Sequence, residues 1–481
     1  MKNKLSLLFT LLLFTADSQS QWQPDVRLTN DPAESYTSFN SAWCIAARDS
    51  VVHLVWFDNR DGNFEIYYRR STDGGISWGA DTRLTNNSAS SGNPSISVTG
   101  LVVHIAWHDF RNGTSEIYYK RSTDGGISWG ADVRLTNNFD ASEFSSVSVS
   151  GSFVHVVWQD FSDGDWEVFY KRSTDAGVSW SVDTRLTNDS INSFEPSVSV
   201  SGSVVHVVWY DFRHGQSEIY YKRSTDDGIS WGVDARLTND PAASGLPSIS
   251  VSGSVVHVVW FDNRDGNYEI YYKHSTDGGL SWETDTRLTN APNNSWFSSV
   301  SVSGSVVHVV WVDFRDGNYE IYYKHSTDGG LSWETDTRLT NNSAASNYPS
   351  VSVSGSVVHV IWTDLRDGNR EIYYKRNPTG NPVGIININS EIPKEFSLSQ
   401  NYPNPFNPST IIHFQLSINS FTSLKIYDVL GREVAALVNE QLNAGTYEVD
   451  WSADNFPGGV YFYSLYVNGS LIKSRKMMLL K

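Results

Sequence analysis

The chain has a single cysteine, Cys44, and only three methionines in 481 residues. One thiol excludes an intramolecular disulfide and a thiolate metal site, so stability has to come from packing. Positive charge is scarce too, with 36 Lys and Arg against 53 Asp and Glu and a net charge of −17. Such a surface repels backbone phosphates, which excludes nucleic acid as a partner. No apolar run is longer than Leu5–Phe14, which is too short to span a bilayer, so no transmembrane segment is expected. Helical periodicity is missing throughout. Aromatic residues, in contrast, are abundant: 18 Trp, 24 Tyr and 22 Phe can fill a sizeable core.

At the N-terminus, Lys2 and Lys4 precede the apolar run, and Ala16-Asp17-Ser18 supplies small residues for cleavage. This pattern predicts a signal peptide over residues 1–18 and an exported mature protein.

Most of the remaining chain is repetitive. "STDGGISW" at Ser71–Trp78 returns in near-copies at Ser122, Ser173, Ser224, Ser275 and Ser326, each 51 residues on. "RLT" occurs seven times, from Arg27 to Arg338, and "HxxW" seven times, from His53/Trp56 to His359/Trp362. Each unit reads as four short strands: "PSVSVSG" alternates, "SVVHVVWVD" is buried on both faces, and "YEIYYKHS" and "TRLTN" come after a "DGN" hairpin turn. Four antiparallel strands per roughly 50 residues is the pattern of a propeller blade, whereas a linear array of small β-domains is the competing architecture. Seven "RLT" strands and seven strand triplets are joined by only six boxes, and the unpaired pieces lie at opposite ends of the repeat region. Ring closure accounts for this, with the N-terminal strand completing a seventh, composite blade. The expected fold is therefore all-β: a seven-bladed propeller over residues 22–378, then an Ig-like β-sandwich over 393–481, joined by a linker at 379–392.

In the boxes, Asp73, Asp124, Asp175, Asp226, Asp277 and Asp328 are expected to hold the turn through local hydrogen bonds, a structural role. The second glycine is kept in all six boxes, which suggests a positive φ, whereas the first is replaced by Ala176 and Asp227. Seven equivalent histidines, one per blade, do not converge as metal ligands must, and packed histidines bonded to neighbouring backbone are expected instead. No metal, cofactor or catalytic set is expected. The repeated Glu of "EIYY" is expected to pair between blades. After the second strand, "DxR" recurs with Arg60, Arg111, Arg213, Arg264, Arg315 and Arg366, while Ser162 breaks it in the third blade. Hairpin parity puts these loops on the face opposite the boxes, beside the most variable connections. Phe144, Phe194, Trp296, Phe297 and Tyr348 precede first strands there and could stack on sugar rings. Local Asp–Arg pairs and aromatics covering strand ends are the structural alternative.

The six boxes make residues 22–378 resemble the BNR/Asp-box repeat propellers of the sialidase-like superfamily. That resemblance implies an arginine triad, a Tyr–Glu nucleophile pair and an Asp acid/base in the members that are sialidases. The chain has no "RIP" motif, repeats its Arg, Tyr, Glu and Asp in near-identical settings, and counts seven blades where sialidases have six. Beyond Arg376, "NYPNPFNPST", "LKIYDVLGREVAAL", "AGTYEVDW", "GGVYFYSL" and the ending "SLIKSRKMMLLK" resemble the type A C-terminal sorting domain of the type IX secretion system. This implies passage through a Gram-negative outer membrane to the cell surface or medium, with the secretion machinery as partner. The expected function is non-catalytic binding of a glycan or protein by a monomer, on the face opposite the boxes. An exo-glycosidase of sialidase type and a structural surface protein are the alternatives.

Overall fold

The computed structural model describes residues 22–480, apart from 41–42, 162–163, 189–190, 381–385, 390–392, 408, 443 and 454–455. The expected signal peptide, parts of the expected linker and Ser162 lie outside the described residues. Among the described residues there is no helix. Seven antiparallel sheets succeed one another from residue 26 to 377. Blade 5 is representative: Ser244–Ser252, Val255–Asp262, Glu269–Ser275 and Thr286–Arg287, in that order from the inner edge outward.

The second strands carry apolar residues on both faces because neighbouring blades cover both. Val256, Val258, Val259 and Trp260 in blade 5 are wholly buried. All seven "HxxW" tryptophans, Trp56 to Trp362, are among the largest fully buried side chains. No sheet could bury these faces alone, so stacking around a ring is what makes the repeat stable.

The ring closes as the sequence predicts. Val26 and Arg27 pair with Tyr374 and Tyr373, so the N-terminal strand is the fourth strand of blade 7. Arg27 donates to Glu371 at 2.7 Å, and Arg366 reaches back to Asp25 at 2.6 Å. Trp22 stands edge-on to Tyr323 at 4.9 Å and 77°, the geometry in which Trp333 meets Tyr272 at 4.9 Å and 75°. The seventh box is therefore cut rather than wholly missing: its closing tryptophan arrives from the other end of the chain. Blade 1 departs from the repeat, since its inner strand is split into Ser35–Tyr36 and Ile45–Arg48.

Residues 386–479 form two further four-stranded sheets. Ile412, Phe414, Leu424, Ile426, Val449, Tyr463, Leu465 and Met477 fill one core between them. This is a sandwich of alternating strands, as expected. Its last strand, Ser470–Leu479, pairs along Gly459–Val467.

Candidate functional site

Hairpin parity fixes two faces. One carries the boxes and the turns between first and second strands, and Gly125 N–H donates to Leu101 of such a turn at 2.7 Å. The other carries the "DxR" loops and the blade-to-blade connections.

On the box face, each aspartate is saturated by its own turn. The Asp124 carboxylate accepts from the Ser122 hydroxyl at 2.7 Å, the Ile127 and Ser128 amides at 3.0 and 2.9 Å, and the Ser128 hydroxyl at 2.5 Å. The hydroxyl and amide of Ser128, with the Ser122 hydroxyl, hold this exposed carboxyl well below the usual range. The Ser–Asp contact recurs at Asp73, Asp175, Asp226, Asp277 and Asp328. Turns completed in this way have a structural purpose without a ligand.

The repeated buried groups pair within each blade. His104 Nδ1 and the Tyr119 hydroxyl on the adjacent strand lie 2.6 Å apart, in place of the backbone partner expected for this histidine. Glu269 pairs with Arg287 at 2.8 Å and accepts from Thr289 of the same blade, so the expected blade-to-blade pairing of this glutamate is corrected to a link between third and fourth strands. Register explains both: partners 15 and 18 residues away lie diagonally across neighbouring strands, two positions from the directly facing residue.

The arginines of the "DxR" loops are held in the same manner. Asp262 is wholly buried and accepts from Ser244 at 2.8 Å, Trp260 Nε1 at 3.2 Å, the Arg264 amide at 3.0 Å and Arg264 Nε at 2.9 Å. Arg264 also donates to Asp285 at 2.8 Å, and its guanidinium lies 4.4 Å from the Tyr271 ring centre. Arg60, Arg111, Arg213, Arg315 and Arg366 repeat this double carboxylate clamp with Asp58/Asp81, Asp109/Asp132, Asp211/Asp234, Asp313/Asp336 and Asp364/Asp25. One cation thus ties the second strand to the approach of the fourth. Arg264→Ala leaves a buried carboxylate without its cation, and thermal unfolding should show a loss of ~2 kcal/mol.

The aromatics occupy a different place. Phe194 and Trp296, like Phe144, Phe297 and Tyr348, lie inside first strands rather than before them, and the last three share one position. Each of these three sits at a bulge, where pairing shifts between Glu143 and Ser146, Trp296 and Ser299, and Asn347 and Ser350. Asn93, Glu195 and Leu246 hold the corresponding bulge positions of blades 2, 4 and 5. All six have positive φ, from 46° to 53°. Sequence reasoning missed Asn93, Glu195 and Leu246; the available signal was a position that varies among copies of an otherwise repeated frame. Trp296, one residue earlier, packs against Phe297, Tyr268 and Tyr319 at 5.9, 6.0 and 5.7 Å. Phe194 stacks on Tyr210 at 5.5 Å.

The bulges meet around the axis at the face opposite the boxes. Phe297 and Tyr348 are 4.8 Å apart, and Tyr348 and Phe39 are also 4.8 Å apart. The Phe39 amide donates to Asn93 at 2.9 Å, and the Glu195 amide donates to Gln159 of blade 3 at 3.0 Å. Deeper along the axis, the inner strands of blades 1, 2, 6 and 7 line a cavity of about 150 Å³ that includes Trp43, Ser97, Ser301 and Ser352. Among the described residues, no group of three or more His, Cys, Asp or Glu is arranged to hold a metal ion.

Residues 100–309 match the BNR repeat-like domain family, and residues 400–479 match the secretion system C-terminal sorting domain. A sialidase of Clostridium perfringens is 23% identical over 169 residues, 28% of this chain and 44% of that protein. A xyloglucanase of Acetivibrio thermocellus is 21% identical over 245 residues, 44% of this chain and 28% of that protein. The chain therefore spans less than half the length of the curated relatives it matches. Among solved structures, the polysaccharide lyase Uly1 superposes with a TM-score of 0.53 at 9% identity, over 74% of this chain and 99% of that one, a likeness of fold.

Proposed function

We propose that this chain, a sialidase-like BNR-repeat propeller exported through its C-terminal sorting domain, binds an extracellular ligand and does not turn it over. The type IX secretion system delivers it to the cell surface or the medium. No helix among the described residues is long and apolar enough to cross a membrane. The ligand, a glycan or a protein, meets the face opposite the Asp boxes.

One observation carries the reading. Every arginine of the repeated "DxR" loops is clamped by two carboxylates and stacked on a tyrosine of its own blade. Recognition of an acidic sugar by an arginine triad needs guanidinium groups from several blades directed at one point, and these are directed at their own strands. General acid and nucleophile pairs need carboxyls placed differently from their neighbours, whereas the repeated Asp and Glu here are each used in the same pairing in blade after blade. The carbohydrate-active names among the relatives favour a glycan among possible ligands.

The test is a screen of the purified full-length protein on glycan and extracellular-protein arrays, with a fluorogenic sialoside assay alongside. Saturable binding without turnover is the expected result. Sialoside turnover lost in Arg264→Ala without loss of fold would overturn the reading.

A further inference from the structure

At the bulge position six otherwise matching blades carry five kinds of side chain: Asn93, Phe144, Glu195, Leu246, Phe297 and Tyr348, with only Phe used twice. The left-handed backbone is kept at all of them while the chemistry changes, so the frame aims a variable set at the axis. The set is lopsided. Blades 6, 7 and 1 supply a continuous aromatic wall, Phe297–Tyr348–Phe39, each ring partly exposed. In a seven-membered ring, blades 3 and 4 lie across from blade 7, and there the bulge region carries Glu143, Gln159 and Glu195 beside Phe144.

Polar atoms at this end lack protein partners. Both side-chain polar atoms of Asn40 are buried and unbonded, with the residue 5% exposed. Glu195 Oε2 and the hydroxyls of Ser95, Ser145 and Ser298 are in the same condition, and all lie at the starts of inner strands. Buried polar groups without partners are costly, and those at this mouth are open to an external partner rich in hydroxyls. Burial pushes the Glu195 carboxyl up to about 8, so at neutral pH it is protonated and can donate as well as accept. None of these residues is cationic, and the nearby arginines are already paired.

We propose that this mouth is a subsite for an uncharged sugar residue, stacked on the Phe297–Tyr348–Phe39 wall and hydrogen-bonded through its hydroxyls to Glu195 and Asn40. A sugar ring has an apolar face and a hydroxyl edge, which matches an aromatic wall with polar side chains beside and across from it. Without an available cation the site has nothing to hold the carboxylate or sulfate of an acidic glycan. The inference rests on the reading that this face binds ligand.

Calorimetric titration of the full chain with neutral xyloglucan, arabinan and mannan oligosaccharides, and with sialyllactose and a sulfated fucan, tests it. Saturable binding of a neutral oligosaccharide is expected, weakened at least tenfold by Tyr348→Ala and by Glu195→Leu. Tyr348→Phe and Glu195→Gln, which keep the ring and a hydrogen-bonding group, should stay within about threefold. Unfolding temperatures of all four variants serve as folding controls. Binding of only the acidic glycans, or neutral binding unchanged by Tyr348→Ala, overturns the subsite. Binding of a protein alone overturns the subsite but leaves the ligand-binding reading intact; failure to bind any ligand overturns both.

Discussion

Gly126→Ala should be the most damaging single-methyl change in the propeller, costing ~4 kcal/mol by a combination of overpacking and backbone strain. An added Cβ would lie 1.9 Å from the Tyr68 hydroxyl and 2.6 Å from its Cζ, in a backbone with φ +81°. Tyr68 cannot retreat: it is buried, paired with His53 at 2.7 Å, and met edge-on by Trp129 at 4.8 Å. The same approach occurs at all six second glycines, each time with the tyrosine of the preceding blade. The box is thus a clasp between blades as well as a turn, which positive φ alone did not reveal. Gly125→Ala is the control. There an added Cβ would meet only Leu101 at 3.7 Å and Arg70 at 3.8 Å, and Ala176 occupies the equivalent place at φ 57°. It should cost no more than ~1–2 kcal/mol, the strain of a left-handed residue. Chemical denaturation of the two variants compares them directly, and equal losses would remove the clasp.

Acid should unfold the propeller well before it titrates the carboxylates. Burial, aided by Arg70, lowers His53 to about 4, and burial beside Arg121 lowers His104 to about 3. His155, His257 and His359 lie at about 3 and His206 at about 4, with burial the main cause in each. Folded values below the unfolded ~6.5 mean that the unfolded chain binds more protons in between. The contribution is therefore complete above about pH 6.5 and is lost as pH falls toward 4. Each such histidine can add up to ~1.4 kcal/mol per pH unit, so six together exceed the usual ~5–15 kcal/mol of total stability within about two units. Thermal scans from pH 8 to 4 should show a steep fall in Tm below about pH 6, and His104→Gln, which removes one of the six contributions, should lessen its slope by about one sixth. A Tm unchanged down to pH 5 would contradict buried, neutral imidazoles.

Much of this architecture is legible in one dimension because the repeat is nearly perfect. Seven "RLT" strands against six boxes located the ring closure, and Val26 does pair with Tyr374. The spacing Trp22, Asp25, Arg27 matches Trp78, Asp81, Arg83 and could have shown that the seventh box is split, but a motif cut between the two ends of a chain escapes a search for contiguous copies. The partners of His104 and Glu269 depend on strand register, which periodicity does not specify. The mouth proposed to bind ligand was only half visible. Phe144, Phe297 and Tyr348 stood out as aromatics, while Asn93, Glu195 and Leu246 became their equivalents only once the bulges placed all six in one ring.

Ligand binding is assigned to the non-repeating bulges and not to the repeated boxes. Hydrogen exchange on the full chain, with and without a ligand found in the array screen, separates the two. Exchange should slow around residues 93–97, 144–148, 195–199, 297–301 and 348–352, with the box turns unchanged. Protection centred on residues 71–78 and their five copies, with the inner strands unaffected, would contradict that assignment.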